Sequence, residues 1–269
     1  MSRALRAPSR RPPRMIYVPP APPPHVDEPL LPQAAASPKD AMVSVVMTSY
    51  NRPKFVKEAI QSVLDQTYED FELLVMDDGS NEDTLEAIDS FDDYRIVKVF
   101  LGRRELEGAR YCHSINEGIE FASGSFITYL TDDDLYLPRR LEVMTKILLD
   151  DPKKWVVYGK QFVRFYDTEM KMTEEKVRST IGVTRDMFRI TGNLDHNSFM
   201  HRAECFNTLR KPYWPTHAWW AGDVSFWETL VPQWNFYPIE EVLDVHRFHE
   251  NSVMNRMEKG KSPIYTQEI

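Results

Sequence analysis

The pattern of apolar and polar positions changes abruptly at Met42. From there "MVSVVMTS" (residues 42–49) is a short apolar, β-branched run, which predicts a buried strand. "RPKFVKEAIQSVLDQT" then places Phe55, Val56, Ala59, Ile60, Val63 and Leu64 on one helical stripe, with Pro53 at the position a helix start favours. Strands are expected at "FELLVMD" (71–77), "RIVKVF" (95–100) and "SFITYLT" (125–131). Helices are expected at "SNEDTLEAIDSF", behind the capping candidates Ser80 and Asn81, at "ARYCHSINEGIEFASG", closed by Gly124, and at "PRRLEVMTKILLDDP". No internal repeat interrupts this series.

Strands alternating with helices of this length predict right-handed βαβ units on a mostly parallel sheet, an α/β fold. Ligands of such sheets bind beyond the carboxyl ends of the strands, where the strand order reverses. Those ends carry Thr48-Ser49-Tyr50-Asn51, then Asp77-Asp78-Gly79-Ser80, then Thr131 with Asp132, Asp133 and Asp134. Three polar clusters therefore share one edge. After Pro152 the alternation fails. "KWVVYGKQFVRFYD" reads as a strand pair or one long strand, and "LDHNSFMHRAECFNTL" as a strand with a short helix. "AGDVSFWETLVPQW" reads as helical, and "PIEEVLDVHRF" ends in a strand. Trp214, Trp219, Trp220 and Trp227 crowd this half and are expected in the core or over a cleft.

Residues 1 to about 40 are rich in Pro, Arg and Ala and lack any apolar period, which predicts a disordered or polyproline-like tail. Five arginines and no acid give residues 1–24 a charge of +5, so with a total of −8 the remainder stands at −13. An acidic body is unsuited to nucleic acid. The basic tail could tether to an anionic surface or partner. No apolar run approaches the ~20 residues of a membrane span, and no secretory h-region is present. Cys112 and Cys205 stand far apart, which predicts two buried thiols in a reducing, cytoplasmic setting.

The chain has no G-x-x-x-x-G-K-[ST], no G-x-G-x-x-G after the first strand, no G-x-S-x-G and no H-E-x-x-H. A P-loop, a dinucleotide site and a zinc protease are therefore disfavoured. Gathered carboxylates suit a hard divalent cation, Mg²⁺ or Mn²⁺, held by one or two of them together with substrate phosphates. Adjacent aspartates point in different directions, so they divide their roles. His246-x-x-His249-Glu250 is a weaker metal candidate, with a structural use the commoner outcome.

"VSVVMTSYNRPKFVKEAIQSVLDQTYEDFELLVMDDGSNEDT" and "GSFITYLTDDDLYLP", with "ARYCHSIN", "LDHNSFMHR" and "GDVSFW", closely resemble glycosyltransferase family 2, over roughly residues 43–249. The resemblance implies the GT-A fold, with residues 41–151 as the nucleotide-sugar half, 152–255 as the acceptor half of the same domain, and 256–269 as a tail. It implies that Tyr50 stacks on the base with Thr48 beside it, that Asp78 accepts from a uracil or thymine imide, and that Arg110 touches the nucleotide. Asp132 would face the ribose, Asp133 would hold Mn²⁺ or Mg²⁺, and Asp223 would be the general base; alone, Asp223 also fits a helix cap after Gly222. Asp134 is left as a supporting or simply solvated group, and Asp195 and His196 as residues of the acceptor side. The implied activity is inverting transfer from a UDP- or dTDP-sugar to a saccharide or other hydroxyl acceptor, in bacterial surface or spore-coat glycan synthesis. A nucleotidyltransferase and a non-catalytic sugar-nucleotide-binding protein are the alternatives.

Overall fold

The computed structural model describes residues 14–17, 39–102, 108–179, 194–217, 222–250 and 252. Ten strands form one sheet: β1 (Arg14–Tyr17), β2 (Lys39–Ser49), β3 (Phe71–Asp77), β4 (Ile96–Phe100), β5 (Gly124–Thr131), β6 (Leu135–Tyr136), β7 (Val156–Tyr166), β8 (Met172–Arg178), β9 (Phe199–Arg202) and β10 (Phe236–Phe248). The described helices are α1 (Pro53–Leu64), α2 (Glu82–Asp89), α3 (Arg110–Phe121), α4 (Arg140–Asp150) and α5 (Gly222–Leu230). The strand order is β1-β4-β3-β2-β5-β9-β7-β10-β6, with β8 paired to β7. From β1 to β5 every pairing is parallel. Beyond β5 the pairings are antiparallel except β7 with β10.

The apolar strand runs are continuous because both sheet faces are covered. Val43, Val45 and Met47 of β2 pack with Val56, Ala59, Ile60 and Val63 of α1 and with Leu141, Met144 and Leu148 of α4. Val46, from the opposite face of the same strand, joins Cys112, Ile115 and Ile119 of α3 and Phe226, Trp227 and Leu230 of α5. Trp214 and Trp227 are core residues, whereas Trp219 and Trp220 lie outside the described residues. Both cysteines are free and buried, and burial pushes the Cys112 thiol up to about 12, so it is no nucleophile at neutral pH. No described helix is long and apolar enough to cross a membrane.

Three elements depart from the expected series. Arg14–Tyr17, inside the segment expected to be an unpacked tail, adds to the sheet edge in parallel with β4. β8, "MTEEKVR", is exposed along its length and carries no apolar alternation, so it forms because β7 offers it a pairing edge. β6 is two residues long and pairs with β10 immediately after the aspartate triplet. The remaining expected strands and helices are present, but α3 is capped at Ala122, and Gly124, expected to close it, opens β5.

One core group sets an acid limit on stability. His201 is fully buried, its Nδ1–H donates to the Arg202 carbonyl at 2.8 Å, and Nε2 therefore accepts from Tyr129 Oη at 2.9 Å. Burial lowers its pKa to about 4 from an ordinary 6.5. A depressed pKa means that the neutral ring stabilises the fold above the unfolded pKa. That stability is lost as pH falls from about 6.5 through about 4. The expected loss is about 3 kcal/mol. It is measurable as a falling urea midpoint between pH 7 and 4, with a flatter profile for His201→Phe.

Candidate active site

In the strand order β4-β3-β2-β5 the chain moves outward from β2 to β4 and then returns to the other side of β2, so the reversal lies between β2 and β5. Thr48 and Thr131 are register partners there, which places the loops after both strands side by side. The loop after β2 is tied to the loop after β3. Asn51 N–H donates to Ser80 Oγ at 3.0 Å, Asn81 N–H to Asn51 Oδ1 at 2.7 Å, and Asp78 N–H to Ser49 O at 3.0 Å. Asp77 is buried and shapes this turn by accepting from Gly79 N–H and Ser80 N–H. Asp78 accepts a two-pronged contact from Arg110, with Nε to Oδ2 and Nη2 to Oδ1 both at 2.6 Å. Tyr50 is half-buried on the same edge, and its amide is fixed by Asp132 Oδ2 at 2.9 Å.

The three aspartates divide as adjacent carboxylates must. Asp132 takes the Tyr50 amide and Arg52 Nη1, the latter at 2.7 Å. The same Arg52 nitrogen is 3.0 Å from Asp133 Oδ2, and His249 Nε2–H donates to that oxygen at 3.2 Å. Burial pushes the Asp132 carboxyl up to about 6 against the pull of Arg52. Burial also opposes ionisation of Asp133, but Arg52 and His249 outweigh it and hold Asp133 well below the usual carboxylate range. Asp134 points away from this pair and is fully buried rather than solvated. It accepts from Arg247 N–H at 2.7 Å, Asn197 Nδ2 at 2.5 Å, His246 Nδ1 at 2.9 Å and Thr131 Oγ1 at 3.2 Å.

A second group of candidate residues is carried by α5. Asp223 is the second residue of that helix rather than its cap, and its Oδ1 accepts from Val224 N–H at 2.8 Å. The helix start is pressed onto α3, where Gly222 N–H donates to Tyr111 Oη at 2.9 Å. A Cβ at Gly222 would stand 2.2 Å from Cys112 Sγ, so only glycine permits this approach. Gly108, at φ +85°, allows the adjoining Ala109 N–H to reach Thr216 O at 2.6 Å. His196 Nδ1 is 4.0 Å from Asp223 Oδ2. Its ring lies roughly parallel to Tyr111 and edge-on to Trp214, each with a 6.0 Å centroid separation, and its Nε2 is buried without a partner among the described residues. Burial raises the Asp223 pKa, with Asp195 adding to it and His196 opposing.

A short 3₁₀ turn, His196–Ser198, joins the two groups. Asp195 opens it in a reciprocal cap with Ser198, and Asp195 Oδ1 takes Asn197 Nδ2 at 2.9 Å. Asn197 also reaches Asp134, while the neighbouring His196 reaches Asp223.

Two sets of groups could hold a divalent cation. Asp133 and His249 present a carboxylate oxygen and an imidazole nitrogen at the strand-reversal edge, and Phe55 stacks on His249 at 4.5 Å to fix the ring. In the second set, Asp134, Asp195 and His246 have ligating atoms all within 4.8 Å of one another. There Asp134 is already filled by four donors. Burial alone would lower the His246 pKa, but Asp134 and Asp195 push it up to about 9, so the ring itself supplies the positive charge. The second is a self-neutralised cluster; at the first, Arg52 and the His249 N–H occupy Asp133 Oδ2, so a cation there would have to displace them. Arg52, Asn197 and Arg247 were not singled out from sequence. Arg52 alone carried a usable signal, as a cation directly following the Tyr50-Asn51 loop.

The description Glycosyl transferase family 2 matches residues 44–211. The chain belongs to this family. Protein CgeD of Bacillus subtilis is 35% identical over 211 residues, covering 75% of this chain and 49% of that protein. The UDP-Glc:alpha-D-GlcNAc-diphosphoundecaprenol beta-1,3-glucosyltransferase WfgD of Escherichia coli is 31% identical over 150 residues, covering 54% of this chain and 58% of its own. The chain thus spans about half the length of these curated relatives. Residues 1–349 of S. aureus TarS in complex with UDP-GlcNAc superpose with a TM-score of 0.55 at 14% identity, covering 78% of this chain and 60% of that one. The sheet and its flanking helices are accordingly those of the GT-A glycosyltransferases.

Proposed function

We propose that this glycosyltransferase is an inverting, metal-dependent enzyme that moves a sugar from a UDP- or dTDP-sugar to an acceptor hydroxyl in bacterial surface or spore-coat glycan synthesis. The observation that carries this reading is the 195–197 turn. In it Asn197 bonds Asp134 beside the acidic cluster while His196 faces Asp223 at 4.0 Å, which supports a nucleotide-diphosphate side opposite a base.

Tyr50 and Thr48 are positioned to receive the base. Asp78, held by Arg110, accepts the imide N–H that uracil and thymine share and cytosine lacks. Asp132 faces the ribose. Asp133, with His249, would hold Mn²⁺ or Mg²⁺, whose charge would offset that developing on the departing diphosphate. Asp223 takes the acceptor hydroxyl proton as the oxygen attacks the anomeric carbon, and the bond to the diphosphate breaks on the opposite face. Its pKa, raised by burial, brings it closer to the range of a useful base. The likeness to WfgD, a UDP-Glc-dependent glucosyltransferase by name, supports a UDP-sugar donor, as does the UDP-GlcNAc complex of TarS.

A thermal-shift panel of UDP, dTDP, ADP and GDP with Mn²⁺ tests the nucleotide side. Ligand at about 100 times its Kd stabilises the native state by ~2.7 kcal/mol, which corresponds to a shift of several degrees. UDP or dTDP is expected to give that shift, and Asp133→Asn to remove its Mn²⁺-dependent part. Equal shifts for all four nucleotides would overturn the base assignment.

A further inference from the structure

Arg52 lies between the Tyr50-Asn51 loop and the first turn of α1, with its side chain 13% exposed. One terminal nitrogen serves two carboxylates, 2.7 Å from Asp132 Oδ1 and 3.0 Å from Asp133 Oδ2. The two neighbouring arginines are engaged differently. Arg247 binds the Asp133 main-chain carbonyl and Glu58, and Arg110 binds Asp78. Among these three arginines, Arg52 is the one that meets the carboxylate oxygen assigned to the cation.

The same Asp133 oxygen takes the His249 N–H. A divalent cation arriving alone must therefore break a guanidinium away from two buried acids and then share the site with that positive charge. A nucleoside diphosphate changes the balance. It adds negative oxygens on the same strand edge, and a planar guanidinium pairs with such oxygens in two-pronged fashion. Arg52 follows the Tyr50-Asn51 loop directly and opens α1, so it stands on the same strand edge as the residues assigned to the nucleotide.

We propose that Arg52 is an exchangeable counter-ion that keeps the cation off Asp133 until a nucleoside diphosphate arrives, so that metal and nucleotide enter as one unit. This rests on the reading of Asp133 as the metal residue. It makes Arg52 a positioning residue whose work is visible in binding, without any turnover.

The test is a titration of the full chain with Mn²⁺, followed by electron paramagnetic resonance of the free ion, with and without UDP. The wild-type protein is expected to bind Mn²⁺ weakly alone and at least about tenfold more tightly with UDP. Arg52→Gln should gain about tenfold in affinity for Mn²⁺ alone, with the UDP enhancement shrinking by the same factor, since coupling is reciprocal. Arg52→Lys keeps a charge and should stay near the wild type. Circular dichroism melts report whether Arg52→Gln folds. If it does not, Arg52→Met, which keeps the apolar stem and removes the charge, takes its place, with the same expectation. Unchanged or weaker binding of Mn²⁺ alone in the folded variant, with the UDP enhancement intact, overturns the proposal and leaves the metal reading standing. Absence of Mn²⁺ uptake by the wild type even with UDP overturns both.

Discussion

Asp223→Asn is expected to lower the rate of sugar transfer by about 10²–10⁴-fold while leaving nucleotide affinity unchanged. The substitution keeps size and shape, so α5 and its contact with α3 should survive. It removes the group that would accept the hydroxyl proton. Asp223 is neighboured by His196, with Tyr111 and Trp214 against that ring, whereas the nucleotide roles are assigned to Tyr50, Asp78 and Asp132. A loss of kcat with an unmoved UDP thermal shift is therefore the expected signature. If Asp223 were structural, the melting temperature would fall together with the rate, and if it bound donor, the UDP shift would shrink.

The second large effect belongs to the third aspartate and is an effect on stability. Asp134→Ala is expected to destabilise the fold by about 3–5 kcal/mol, because it leaves buried donors and a buried cation without their acceptor. Arg247 N–H, Asn197 Nδ2 and the charged His246 ring all converge on this carboxylate. For a domain of this size the melting temperature should drop by roughly 10 °C. Asp133→Asn, one residue away, keeps a side-chain oxygen for the His249 N–H and loses only its charge, so it should melt well above Asp134→Ala and fail in Mn²⁺-dependent nucleotide binding. The two neighbours thus separate in a thermal scan. A melting temperature for Asp134→Ala within a degree or two of the wild type would remove its structural role.

That contrast also shows where sequence reading stops. The strands β2 to β5 and their helices were legible because each strand is buried on both faces and each helix carries one apolar stripe, both local patterns. The strand ends followed from the alternation, which is why the three polar clusters could be placed on one edge. β8 was not legible because nothing in "MTEEKVR" alternates, and it exists through its partner strand. β1 was hidden in a proline- and arginine-rich segment whose composition argued against packing, yet an exposed edge requires only a few backbone pairings. Asp134 was unreadable for another reason. Its partners His246 and Arg247 lie over a hundred residues downstream and arrive only because β10 pairs with β6. Asp132 and Arg52 are likewise brought together across 80 residues by the β2–β5 pairing. The roles of Tyr50, Asp78 and Asp223 came from motif resemblance, and the fold adds their neighbours.

The central claim is metal-assisted transfer with a nucleoside diphosphate as leaving group. The direct measurement is ³¹P nuclear magnetic resonance of the full chain with UDP-glucose, UDP-GlcNAc or a dTDP-sugar, diamagnetic Mg²⁺ and a panel of hydroxyl acceptors. The predicted result is the appearance of UDP or dTDP from one donor, abolished by EDTA and by Asp133→Asn. Release of pyrophosphate or a sugar phosphate in place of the diphosphate, or full turnover in EDTA, would contradict it.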